Sequence, residues 1–121
     1  DLVSLNYLPV HSLSLIRCVN LEEIPSSLPV KSLEINECCS LTSIRSLQYL
    51  ESLEVYSARE LESIEDLPLL RSLEIDDCEN LARLINLPLC TNYNMHLFYG
   101  ELEVVNCPGY VKPNLLDFLI V

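Results

Sequence analysis

The sequence predicts a solenoid, a coil of short stacked units with one parallel β-sheet along one side. Three observations predict it. The first is a repeat of twenty residues: Leu13, Leu33, Leu53 and Leu73 are spaced by it, as are Leu15, Ile35, Val55 and Ile75. Cys18, Cys38, Ala58 and Cys78 keep the same spacing, and so do Leu21, Leu41, Leu61 and Leu81, and Ile24, Ile44, Ile64 and Leu84. Self-similarity at such a period marks an array in which each unit buries its apolar face only against its neighbours. The second observation is the pattern within a unit. In residues 30–44, Val30, Leu33 and Ile35 stand at strand-like spacing, while Cys38, Leu41 and Ile44 come every third residue, which suits a tight turn and an irregular return. The third is proline: Pro25, Pro29, Pro68 and Pro88 interrupt helical hydrogen bonding, and twenty residues leave little room for a helix beside a strand and its turns.

Taken in order, residues 1–9 read as a partial repeat, with Leu2, Leu5 and Leu8 at the three-residue spacing of Leu41, Ile44 and Leu47. Full repeats then run over about 10–29, 30–49, 50–69 and 70–89, with strands centred on Leu13–Leu15, Leu33–Ile35, Leu53–Val55 and Leu73–Ile75. A fifth unit is placed by matching Leu102, Val104 and Cys107 to Leu73, Ile75 and Cys78. That offset is twenty-nine, so residues 90–100 read as an insertion, followed by a fifth strand and C-terminal segment over 101–121. The insertion concentrates Tyr93, Met95, His96, Phe98 and Tyr99. It is either a protruding loop with aromatic contact residues or a cover folded over exposed core. No capping unit with a polar outer face is evident at the N-terminus, and the last residues are apolar, so more repeats or neighbouring subunits are expected to cover the ends.

The segments VKSLEINECCSL and LRSLEIDDCENL fit the pattern L-x-x-L-x-L-x-x-C-x-x-L. In this the chain resembles the leucine-rich repeat family, in its short-repeat members, with Cys where many have Asn. The Leu28-Pro29, Leu67-Pro68 and Leu87-Pro88 pairs fit the same type, and the likeness covers nearly the whole chain. It implies a right-handed β-α superhelix, a horseshoe arc with the parallel sheet on its concave face. The convex side is then mostly extended or 3₁₀, with little α-helix. It also implies a binding scaffold, which by itself names no partner.

Alternate strand residues point to opposite faces, so with Leu33 and Ile35 inward, Ser32, Glu34 and Asn36 face out. Stacking turns each outward position into a ladder. One runs through Ser12, Ser32, Ser52 and Ser72 to Glu101, the next through Ser14, Glu34, Glu54, Glu74 and Glu103, and a third through Ile16, Asn36, Tyr56, Asp76 and Val105. Strands about 4.8 Å apart put adjacent carboxylates in repulsion of about 1 kcal/mol in bulk water, several-fold more where water is displaced. Either this acidic strip receives a basic partner segment, or it keeps an exposed sheet face soluble. The alternating Lys31, Glu51 and Arg71 alongside offer partial relief by pairing across strands.

The net charge of −11 disfavours nucleic acid and anionic membranes, both of which need a basic footprint. No run approaches the ~18 apolar residues of a membrane helix. The six cysteines lack the close pairs of a zinc site, apart from adjacent Cys38 and Cys39. Cys18, Cys38, Cys78 and Cys107 are placed in one repeat slot that Ala58 also fills, as a small buried packing site allows. Cys39 and Cys90 fall off that slot. Unbridged thiols suit a reducing compartment, so a cytoplasmic location is expected, although stacked strands leave a Cys18–Cys38 bridge within reach. Gly100 and Gly109 are the only glycines, which leaves no glycine-rich phosphate loop, and His11 and His96 have no catalytic partner at motif spacing. Single carboxylates per strand do not form a closed calcium cage. No cofactor is expected.

The expectation is a non-catalytic protein-interaction module. Its contact residues are Glu34, Glu54, Tyr56, Glu74, Asp76 and Glu103 on the concave strip, with Tyr93, Phe98 and Tyr99 in the loop. The expected partner is a protein with a basic surface. Two alternatives stay open: a structural component of a larger assembly whose neighbours cover the ends, and the recognition region of an immune receptor or pathogen effector, two kinds of protein that this repeat type resembles.

Overall fold

A computed structural model describes residues 11–96 and 102–111, and it is a parallel β-solenoid. Five strands, β1 (Ser12–Ile16), β2 (Ser32–Asn36), β4 (Ser52–Tyr56), β6 (Ser72–Asp76) and β8 (Asn92–His96), form the first sheet in that order. The return segments form a second sheet from β3 (Ser43–Arg45), β5 (Ser63–Glu65), β7 (Arg83–Ile85) and β9 (Glu103–Val105). Every pairing is parallel and advances by twenty residues, as in Leu33↔Leu53 and Ile44↔Ile64. No helix occurs among the described residues. The return side is extended, as expected, but its extended segments pair into a second sheet of three-residue strands that was not expected, and the architecture is a two-sheet solenoid rather than a β-α superhelix.

The reason lies in the return sequences. Ser43-Ile44-Arg45 and Ser63-Ile64-Glu65 alternate polar and apolar residues around a β-branched centre, the pattern of a half-buried strand. The first coil departs from this. Pro25 stands where Arg45, Glu65 and Ile85 stand later, and it has no N–H to give a ladder. The first coil contributes no strand to the second sheet.

The three middle coils each turn two corners on a residue with positive φ, the first coil turns one there, at Arg17, and Asn106 continues the second series. Arg17, Glu37, Ser57 and Asp77 end the first-sheet strands, and Ser46, Asp66, Asn86 and Asn106 end the second-sheet strands. None is glycine, so each carries the strain of a side chain in the left-handed region, which Asn and Asp tolerate best. The amides of these residues cross to the next coil, as in Arg17 N–H to Asn36 O at 2.8 Å and Asn86 N–H to Val105 O at 2.8 Å. Side chains add ladders of their own: Asn106 donates to Asn86 (2.6 Å) and Asn86 to Asp66 (3.0 Å).

The core is the column of inward residues between the two sheets. Leu33, Leu53 and Leu73 stack on one another, with Ile35, Val55 and Ile75 beside them and Ile44, Ile64 and Leu84 facing from the second sheet, all buried. Cys38, Ala58 and Cys78 fill the corner slot, buried as the Cys/Ala interchange predicts. The Cys38 and Cys78 thiols donate to the Leu15 and Val55 carbonyls of the preceding coil at 3.5 and 3.8 Å.

The expected insertion at 90–100 is not what the structure shows. Residues 92–96 are β8, in register with β6 through Leu73↔Tyr93 and Ile75↔Met95. Glu103–Val105 continues the second sheet through Leu84↔Val104, so the twenty-residue period runs on unbroken on both sides of the residues not described. Cys107 accordingly occupies the slot of Leu47, Leu67 and Leu87, not that of Cys78, and Cys90 is buried in the slot of Leu50 and Leu70. Gly109 lies against the Cys90 backbone: a Cβ there would overlap the Cys90 carbonyl oxygen and come within 3.0 Å of Thr91 Cα. The proposed partial repeat 1–9 and the segment beyond 111 lie outside the described residues.

Candidate functional site

The outward face of the first sheet is built by strand alternation. On β2, β4 and β6 the inward Leu and Ile/Val anchor each strand, which fixes the residues between them outward. Glu34, Glu54 and Glu74 are consecutive register partners, and so are Asn36, Tyr56 and Asp76. Sequence reasoning placed these five site residues, Glu34, Glu54, Tyr56, Glu74 and Asp76, on one face, and the structure brings them together there, all partly exposed.

The ends of the ladders differ from expectation. Asn92, Asn94 and His96 of β8 take the places given to Glu101, Glu103 and Val105. Glu103 is on the second sheet beside Arg83, and Glu101 lies outside the described residues. The acidic ladder is thus three carboxylates long, bounded by the neutral Ser14 and Asn94. Asn94 was detectable in the sequence, since Tyr93 and Met95 stand twenty residues after Leu73 and Ile75 in the inward slots.

Ser14 donates to Glu34 Oε1 at 3.4 Å, and Ser72 to the Ser52 hydroxyl at 3.3 Å. Neither Glu34 nor Glu54 has a described Lys or Arg within ion-pair distance, and the Lys31, Glu51 and Arg71 column alongside forms no ion pair among the described residues. The ion pair that does form, Arg17 to Glu37 at 3.0 Å, is fully at the surface and contributes little. Tyr56 stands among the carboxylates with a hydrogen bond to Glu74. Its hydroxyl pKa is pushed up to about 12, first by loss of water around it and then by the charges of Glu54, Glu74 and Glu34, which disfavour a phenolate. Between β4, β6 and β8 lies a shallow depression of about 210 Å³, lined on its outward side by Ser52, Glu54, Ser72, Glu74, Asn92 and Asn94.

The second group of expected contact residues does not form a loop. Tyr93 is half-buried against the core, with its ring edge-on to Tyr110 at a centroid separation of 5.3 Å. Its hydroxyl is buried with no hydrogen-bond partner among the described residues, in the company of the Cys90 and Cys107 thiols. Burial raises its pKa strongly, and raises those of Cys38, Cys78, Cys90 and Cys107 as well. Phe98 and Tyr99 lie outside the described residues. All six cysteines are free, and Cys39 alone is exposed. No group of three or more His, Cys, Asp or Glu among the described residues is placed to hold a metal ion. No protein-family model, curated protein or solved structure matches this chain.

Proposed function

We propose that this chain is a leucine-rich-repeat module of the short-repeat type that binds a protein partner, without catalysis, through the acidic face of its first sheet. The family assignment rests on the L-x-x-L-x-L-x-x-C-x-x-L pattern, with the returns paired as a second sheet in place of helices. The partner presents a basic segment that lies across Glu34, Glu54 and Glu74, beside Tyr56 and Asp76. Free buried thiols favour a reducing compartment for it.

The observation that carries this reading is the contrast between the two sheets. On the second, Arg45 is in register with Glu65 and Arg83 with Glu103, so opposite charges face each other across neighbouring strands. On the first, Glu stacks on Glu twice in succession. A surface designed only for solubility gains nothing from stacking like charges when alternation is available in the same chain. A face awaiting cations does gain, because the repulsion is relieved on binding.

The test is binding of a fluorescent Lys-rich peptide to the parent, to the triple variant Glu34→Ser/Glu54→Ser/Glu74→Ser, and to a control triple at the exposed Glu22, Glu60 and Glu79. Both triples change net charge equally. The ladder triple is expected to weaken binding by about tenfold or more, with a reduced salt dependence, while the control stays close to the parent. Equal weakening by both would reduce the face to a share of the overall charge and end the proposal.

A further inference from the structure

We propose that the solenoid self-associates into a two-fold dimer through an apolar ridge at the corner where each coil returns to the first sheet. Tyr49, Leu69 and Leu89 occupy that corner in three successive coils, 56%, 40% and 41% exposed, so that large apolar side chains stand in line along it rather than scattered singly. Pro29 stands at the same step one coil earlier. Each is on the tight turn that closes its coil, as in the Leu70 N–H to Leu67 O and Cys90 N–H to Leu87 O bonds, so the ridge is held by the backbone and follows the stacking axis. The acidic face lies around the strand from it and takes no part.

Charge complementarity selects a second copy as the occupant. Beside the ridge runs the column Lys31, Glu51, Arg71, linked by Glu51 N–H to Lys31 O and Arg71 N–H to Glu51 O. Two antiparallel copies related by a two-fold axis level with the gap between the Tyr49 and Leu69 coils place Tyr49 against the partner's Leu69 and Pro29 against its Leu89. The same operation sets Glu51 opposite the partner's Arg71, and Arg71 opposite its Glu51. Neither residue has an ion-pair partner within its own chain among the described residues. An isologous contact repeats every pair twice, so both pairs form together. The ridge is narrow and falls short of the ~800 Å² per partner of a stable interface, so the dimer is weak and concentration-dependent. With a net charge of −11 on each copy, added salt strengthens it. That trend is opposite to the one expected for a basic peptide on the acidic face, which keeps the two proposals separable.

The experiment is sedimentation equilibrium from micromolar to near-millimolar protein, at low and high salt. The parent is expected to move from 13.8 kDa towards twice that mass, further at high salt. Leu69→Ser, with its fold checked by circular dichroism, is expected to remain monomeric. Glu51→Arg or Arg71→Glu alone places like charges opposite one another twice and is expected to weaken association by about tenfold, whereas the two together restore it. A parent that stays monomeric throughout, or a double reversal no better than either single one, overturns the dimer and leaves the ridge to another occupant.

Discussion

At the scale of single residues, Tyr56 reports the field of the acidic face. Its hydroxyl sits among Glu54, Glu74 and Glu34, and its folded pKa of about 12 lies above the ordinary value of 10.0. A raised folded pKa means that the fold favours the protonated phenol. The stability this contributes is complete below about pH 10 and is lost as pH rises through about 12. Absorbance titration of the phenolates in the parent and in Tyr56→Phe isolates this one group, with circular dichroism followed at each pH. The missing component is expected to have its midpoint near 12 while the fold persists. Glu54→Gln is expected to lower that midpoint only in part, because loss of water is the larger cause. A component at 10 in a folded chain would mean that the carboxylates are too well solvated to act on the phenol.

At the scale of elements, the corners set the geometry and carry the strain. Ser46, Asp66, Asn86 and Asn106 hold the left-handed conformation at successive second-sheet corners, and only the last three are joined by side-chain hydrogen bonds. Ser46→Asn puts a residue better suited to that conformation where its amide reaches Asp66. It is expected to raise stability by about 1 kcal/mol, a shift of a few degrees in thermal midpoint for a chain of this size. A lower midpoint would show that Ser46 has a role at its corner that the ladder does not explain. These corners also mark where the sequence was legible and where it was not. The strands β1, β2, β4 and β6 and their inward residues followed directly from the twenty-residue period. The second sheet did not, because three-residue strands carry too little alternation to distinguish them from an irregular return. The two halves of a coil also share a pattern: Ile35, Cys38 and Leu41 are spaced as Ile44, Leu47 and Leu50 are. Val104, Cys107 and Tyr110 fit either half, and the cysteine favoured the wrong one. Glu103 was carried with them onto the wrong sheet. Tyr93 and Met95, in slots that elsewhere hold Leu and Ile, read as loop residues for the same reason. The acidic face survived this because Glu34, Glu54 and Glu74 lie in the three repeats where the period is clearest.

At the scale of the whole molecule, stability is a sum over coil-to-coil interfaces rather than a property of one central core. Leu53 lies in the middle of the array, 1% exposed, with Leu33 and Leu73 as its neighbours on either side. Leu53→Ala removes contacts to both and leaves a cavity inside the stacked column. A loss of about 2–5 kcal/mol is expected. Leu13, half-buried in the first coil, has a described coil on one side only, so the same substitution there is expected to cost less. The form of the transition decides whether the interfaces act together. Both sheets run through the middle of the array, and from the second coil onward the two ladders together tie each coil to the next, so weakening one interface strains its neighbours. Urea unfolding followed by circular dichroism is expected to show one transition for Leu53→Ala, shifted to lower urea with the slope of the parent. A second transition would mean that the coils on either side of Leu53 unfold separately. The array would then be two cooperative halves joined at β4, and the acidic face, which spans that joint, would hold together only while both halves are folded.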